Sequence, residues 1–207
     1  MMKNKYLIDL ILLLATCLHS SCSKEDTEPV YNEALQYGTF TDSRDGTEYR
    51  TIIIGDQTWM AENLRYIVKS AKSTEDNVYG QMYDEYDITG ACPAGWHLPS
   101  EEEWMELADL LGGIETAGGS LKEAGTDHWQ TPNTGATNVS GFTALPAGCY
   151  DYNSGGSGRE RNTGFWTSSE NQYGTEIIIR LFYNSENIEF SEEGAYDRCY
   201  SIRCIKD

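Results

Sequence analysis

Cations are scarce in this chain. Fifteen Lys and Arg stand against 33 Asp and Glu, a formal net charge of −18. A surface of that sign repels phosphate backbones, which excludes nucleic acid as a partner and favours cations or basic surfaces. Histidine is scarcer still, with three residues, His19, His97 and His128, scattered along the chain. No Cys-x-x-Cys pair occurs and no His/Cys cluster has zinc spacing, so neither a metal centre nor a cofactor is predicted. Nothing places a nucleophile or carboxylate beside a histidine by spacing, so no catalytic residue is predicted. Long apolar runs are absent too. The best stretch, "YLIDLILLLATCLHS", is broken by Asp9 and too short to span a bilayer stably.

That stretch follows the basic start "MMKNK" and precedes "SSC", the anatomy of a bacterial export signal. It resembles a lipoprotein signal, residues 1–21, in which Cys22 becomes the lipidated N-terminus. Cys17, preceded by Thr16, is the weaker candidate. Removal of residues 1–21 takes two cations, Lys3 and Lys5, and one anion, Asp9, leaving a charge of about −19. Residues 22–37 open with "CSKEDTEP", polar and acidic, and are expected to be a flexible tether. The acidic residues after Cys22 resemble the address that sends Bacteroidetes lipoproteins to the outer face of the outer membrane. The expected location is therefore the cell exterior, with the membrane reached through the lipid.

Residues 38–207 form the expected globular domain. "GTFTDSRDGTEYRTIIIG" reads as two strands around an Asp45-Gly46 turn. Trp59, Met60 and Leu64 are core candidates, and residues 66–90 are irregular and rich in Tyr. In "ACPAGWHLPSEEEWMEL", residues 91–107, Pro93, Gly95 and Pro99 delay regular structure until Ser100. Ser100 and Glu103 then form a capping box. Glu101 and Glu102 sit in the first helical turn, where the dipole favours each by about 0.3–1 kcal/mol. Trp104, Leu107, Ala108 and Leu111 recur at helical spacing, and Gly112-Gly113 ends the run. Helix chemistry thus accounts for the three glutamates, and His97 is expected to fill a packed corner. A second short helix is predicted over residues 120–125, "SLKEAG". From Gly141 onward strands alternate with turns, clearest in residues 165–169 and at Ile177, Ile179 and Leu181. The fold class is α+β, with early helices and a late, mostly antiparallel sheet.

With Cys17 and Cys22 in the leader region, Cys92, Cys149, Cys199 and Cys204 remain. In an exported chain an even set of cysteines predicts disulfides, with the pairing open.

Five stretches in order resemble the Fibrobacter succinogenes major paralogous domain: "GTFTDSRDGTEYRTIIIGDQTWMAENL", "ACPAGWHLPSEEEW", "LKEAGTDHWQTPNTGATNVSGFTALPAG", "GFWTSSE" and "YSIRCIKD". The resemblance spans residues 38–207. It implies a C-type lectin-like fold, two helices on a small twisted sheet with long loops and paired terminal strands. It also implies a bridge from Cys92 to Cys204, closing more than a hundred residues, worth up to about 4–5 kcal/mol in the chain-entropy model. Cys149 and Cys199 are then left to each other, a pair additional to the family pattern.

The function expected from this is display of a binding surface, without catalysis. The loops after Cys149 are dense in Tyr, Asn, Ser, Gly and Arg, the chemistry of a paratope. The candidate contacts are Tyr150, Tyr152, Asn153, Arg159, Arg161, Asn162, Tyr173, Tyr183, Asn184, Asn187 and Tyr196, for a protein or glycan ligand. In the similar retroelement variable proteins this third of the chain is the diversified one. Calcium-dependent lectins carry Glu-Pro-Asn or Gln-Pro-Asp and a later Trp-Asn-Asp. Here Thr131-Pro132-Asn133 lacks the acid and Phe165-Trp166-Thr167-Ser168 lacks the Asn-Asp, so no calcium site is predicted. A structural or adhesive subunit of a surface assembly is the alternative. An oxidase like the formylglycine-generating enzymes would need a second cysteine five residues before Cys199, where Gly194 stands, or a pairing of Cys199 with Cys204.

Overall fold

The computed structural model describes residues 27–68, 71–73, 77–192 and 197–207. The signal, Cys22 and Tyr196 lie outside the described residues.

In chain order the strands before the helices are β1 (Gly38–Thr41), β2 (Glu48–Ile54), β3 (Gln57–Met60), β4 (Lys72–Ser73), β5 (Gln81–Met82) and β6 (Trp96–His97). Helices α1 (Glu101–Leu110) and α2 (Ala117–Leu121) follow. Then come β7 (Cys149–Asp151), β8 (Gly155–Ser157), β9 (Asn162–Glu170), β10 (Glu176–Phe182), β11 (Glu189–Ser191), β12 (Arg198–Cys199) and β13 (Ile205–Lys206). Every named strand pairing is antiparallel, and with two short helices the class is α+β.

The principal sheet runs β1-β2-β3-β13-β6, so the last strand of the chain lies between β3 and β6. The Cys92–Cys204 disulfide, a closure of 112 residues, fastens that arrangement beside β6. Two further sheets, β11-β10-β9 and β12-β7-β8, and the β4-β5 ribbon carry the C-terminal half and its neighbours.

Helix α1 starts as the sequence dictates. The Ser100 hydroxyl accepts from the Glu103 amide, and the Glu103 carboxylate accepts from the Ser100 amide. Its buried stripe, Trp104, Leu107 and Ala108, faces an aromatic core. Trp59 and Trp104 have ring centroids 4.8 Å apart, Trp104 and Phe165 5.6 Å, and Phe142 and Phe165 5.8 Å. Each of these rings is fully buried, and such contacts contribute beyond their area.

Two expectations need correction. The second helix occupies Ala117–Leu121 and ends before Lys122, whose backbone is extended at ψ 145°. Gly118 and Gly119, poor helix formers, sit inside it because close approach is needed. A Cβ on Gly118 would lie 2.2 Å from the Asn187 carbonyl oxygen, and one on Gly119 2.4 Å from that of Gly135. Helical propensity yields here to packing.

Nor are residues 27–37 a free tether. The Val30 amide donates to Glu123 Oε1 at 2.7 Å, and His128 Nε2 meets the Thr27 carbonyl at 2.7 Å. Tyr31, Leu35 and Tyr37 pack against the main core, and the Arg50 guanidinium lies 4.3 Å over the Tyr31 ring. The folded unit therefore begins well before residue 38.

Candidate functional site

The C-terminal loops rest on two buried cations, Lys122 and Arg203, neither of which ion-pairs with a carboxylate among the described residues. Lys122, fully buried, donates from Nζ to the carbonyls of Thr134, Phe182 and Ser185 at 2.9, 2.9 and 2.8 Å. Burial pushes its pKa down to about 8, which leaves it cationic at neutral pH. Arg203 donates to Asn63 Oδ1 at 2.8 Å, to the Thr143 carbonyl at 2.9 Å and to the Phe142 carbonyl. Its guanidinium stacks 4.2 Å over Phe142, and burial lowers its pKa to about 9, still cationic. Three carbonyls on one ammonium join two backbone segments, the Thr134 loop and the 182–185 turn, and losing the donor would break both ties at once.

Further backbone bonds pin the 183–188 loop. The Gly119 amide donates to the Glu186 carbonyl, Ile188 to Ile114, and Thr134 to Tyr183. The 158–162 turn is tied to its neighbours by Gln130 to Glu160, Gly148 to Asn162 and Tyr183 to Arg161. The motif "LKEAGTDHW…" is thus a loop clasp. Glu123 and His128, both buried, bond at 2.9 Å, and Asn133 Nδ2 donates to the Glu123 and Gly125 carbonyls.

On this frame the predicted contact residues fall into three places. Tyr150 and Arg159 line one groove beside the β7-β8 hairpin, and Tyr152 and Asn153 stand at the turn of that hairpin. Arg161, Asn162, Tyr183, Asn184 and Asn187 gather at the adjoining end of β9 and β10. Tyr173, at the far tip of the same hairpin, is 80% exposed and separated from Asn162 by about the length of β9, roughly 26 Å. It does not join the others.

Within the second group the roles divide. Arg161, Asn184 and Asn187 are exposed. Tyr183 is half-buried against the main core. Asn162 is half-buried against Gly158, where an added Cβ would lie 2.2 Å from Asn162 Nδ2. Asn162 and Tyr183 thus shape the loops more than they present a surface.

Two residues that the sequence did not mark join this region, Lys72 in the lining of the groove and Asp84 behind Tyr152, both in the irregular Tyr-rich stretch. The Tyr150 and Tyr152 rings meet edge-on, with centroids 5.7 Å apart and an interplanar angle of 85°. Lys72 Nζ lies 4.9 Å from the Tyr152 ring and 5.7 Å from the Tyr150 ring. The Tyr152 hydroxyl donates to Asp84 Oδ2 at 3.0 Å. Burial of the hydroxyl and hydrogen bonding to Cys199 and Asp84 raise the phenol's pKa, so it stays protonated and donating. The groove is a cavity of about 220 Å³ lined by Lys72, Met82, Cys149, Tyr150, Ser157 and Arg159 among others. Arg159 itself stacks 4.2 Å over Tyr79. Only the "YGQMYDEY" motif hinted at this region. The pairing of β4 with β5, which delivers Lys72, has no local signature.

Cys149 and Cys199 are free thiols, a correction to the expected second bridge. Cys199 stands opposite Tyr150 in the β7–β12 ladder, so it shares that residue's face. Cys149, one residue earlier, points to the other side. Burial pushes the Cys199 thiol up, and Cys204 is held by Cys92, so Cys199 and Cys204 do not pair.

His97 also differs from expectation. The fold brings it two carboxylates, Asp207 Oδ1 at 2.7 Å from Nδ1 and Glu103 Oε1 at 2.8 Å from Nε2. Both ring nitrogens are engaged, so the ring clamps the chain terminus to the start of α1. A cavity of about 530 Å³ beside it is lined by Glu85, Glu170, Glu176 and Ser168 among others. Among the described residues no group of three or more His, Cys, Asp or Glu side chains can hold a metal ion, and no helix is long and apolar enough to cross a membrane.

The model of the Fibrobacter succinogenes major domain matches residues 52–206, well over half of the chain. No curated protein and no solved structure matches it.

Proposed function

Because the chain belongs to the Fibrobacter succinogenes major domain family, we propose that it is a non-catalytic binding module of C-type lectin-like fold. Lipid on Cys22 holds it at the outer face of an outer membrane, and its C-terminal loops take a protein or glycan ligand. The lectin-like reading draws support from three features: two helices, a last strand between β3 and β6, and a bridge from the approach to α1 to that strand. The observation that carries the binding reading is the contrast between side chains and backbone. Asn184 and Asn187 project from a loop whose main chain is tied down by Lys122 and the glycine contacts of α2, Arg161 from a turn held by the Tyr183 amide, and Tyr152 and Asn153 from the β7-β8 turn, where the Tyr152 amide donates to the Asp197 carbonyl. Polar and aromatic side chains on fixed backbone lose little entropy when they bind.

The test is an array of glycans and host surface proteins probed with the protein, followed by Tyr152→Ala, Arg161→Ala and Asn184→Ala. At least one substitution is expected to weaken a confirmed ligand by more than about 1 kcal/mol while the melting temperature holds. Unchanged affinity in all three would refute this face. Tyr183 is left out because its half-buried ring would confound folding with binding.

A further inference from the structure

We propose that Tyr150, Tyr152 and Asp84 form a recognition cage for a cationic side chain, a lysine or arginine on a basic segment of a partner protein, which the chain's own Lys72 fills when no partner is bound. This deepens the binding reading above and rests on it.

The ammonium of Lys72 marks the chemistry. Two tyrosine rings at nearly a right angle present a ring face and a ring edge to one space, and Nζ lies within 6 Å of both centroids. Among the described residues that ammonium makes no ion pair and no hydrogen bond. The two rings hold it, a weak grip where solvent has access. Asp84, itself buried, keeps one ring in place through the Tyr152 hydroxyl and supplies negative charge behind the cage.

The plug rides on a slender support. Strand β4 is two residues long and meets β5 through two residue pairs, Lys72 with Met82 and Ser73 with Gln81. Withdrawal of one lysine side chain empties the cage without breaking the hairpin that bears the tyrosines. The adjoining cavity of about 220 Å³ gives the stem of an incoming side chain somewhere to lie. The net charge of −18 draws a basic segment toward the surface before any contact is made.

The experiment uses full-length protein purified in detergent and a fluorescein-labelled pentalysine peptide, read by anisotropy at low and physiological ionic strength. Lys72→Ala is compared with Lys72→Ala/Tyr150→Leu/Tyr152→Leu, which has the same charge. The single variant is expected to bind about tenfold more tightly than the triple variant at both salt levels. Equal affinities would mean that the peptide responds to bulk charge and would overturn the cage, leaving the loop-face reading to its own alanine test. Should the triple variant fail to fold, NMR of Lys72→Ala decides. Peptide addition should shift the ring protons of Tyr150 and Tyr152, and unmoved rings would overturn the proposal equally.

Discussion

Protonation of His97 decides how strongly the ring attracts the two carboxylates around it. Partial burial works against the charged ring, but hydrogen bonds and charge from Asp207 and Glu103 outweigh it and hold the pKa above its ordinary value. Glu85, Glu170 and Glu176 line the same cavity and add negative potential. The raised folded value means the clamp stabilises fully below the ordinary imidazole pKa of about 6.5 and is lost as pH rises through the folded value. Thermal melts between mildly acidic and mildly alkaline pH should show wild type losing more stability than His97→Gln, with the difference shrinking in salt. Parallel curves would remove the clamp. From sequence, Ser100 and Glu103 were readable as a capping box because both lie within one helical turn. Most partners of His97, Lys122 and Arg203 were not, since they arrive from distant segments: Asp207 lies 110 residues from His97, and the Phe142 carbonyl 61 from Arg203, while Glu103, six residues from His97, falls at no regular spacing because the chain turns at Pro99.

At the scale of elements, α2 shows packing overruling propensity. Its "AGGSL" composition argues against a helix, yet the chain coils there so that the 134–135 and 185–188 loops can settle against bare backbone. Gly118→Ala would place a methyl group 2.2 Å from the Asn187 carbonyl oxygen. We expect a destabilisation of about 1–3 kcal/mol by chemical denaturation, and altered hydrogen exchange in residues 183–188. Wild-type behaviour in both would show that the loop does not rest on α2. The β9-β10 hairpin was legible, because alternation over residues 165–169 and at Ile177, Ile179 and Leu181 is a local pattern. The β4-β5 ribbon that brings Lys72 to the tyrosines was not, because two residues per strand are too few to alternate.

For the whole molecule, the Cys92–Cys204 bridge joins the approach to α1 to the final strand across 112 residues. A closure of that length restricts the unfolded chain by up to about 4–5 kcal/mol. Cys92→Ala/Cys204→Ala should lower the unfolding free energy by that order in guanidinium while native far-UV circular dichroism persists. A loss below about 1 kcal/mol would show that the terminal strand is held by its ladder alone. The family resemblance implied this bridge, and the structure contains it. Cys149 and Cys199 show where counting cysteines stops helping, since two thiols on adjacent strands can still point to opposite faces.

The docking of Thr27 and Val30 onto His128 and Glu123 sets the length of the leash. With lipid on Cys22, as proposed, four residues separate the anchor from Thr27, at most about 18 Å from one Cα to the other if fully stretched. Such an anchor would keep the His128 flank within that reach of the bilayer. Tyr79 packs 5.8 Å from His128 and also carries Arg159 at the rim of the tyrosine groove, so the groove adjoins the flank that the leash would hold near the lipid. Under that leash, a thin and extended basic tail would reach the groove with less hindrance from the lipid than a bulky folded domain.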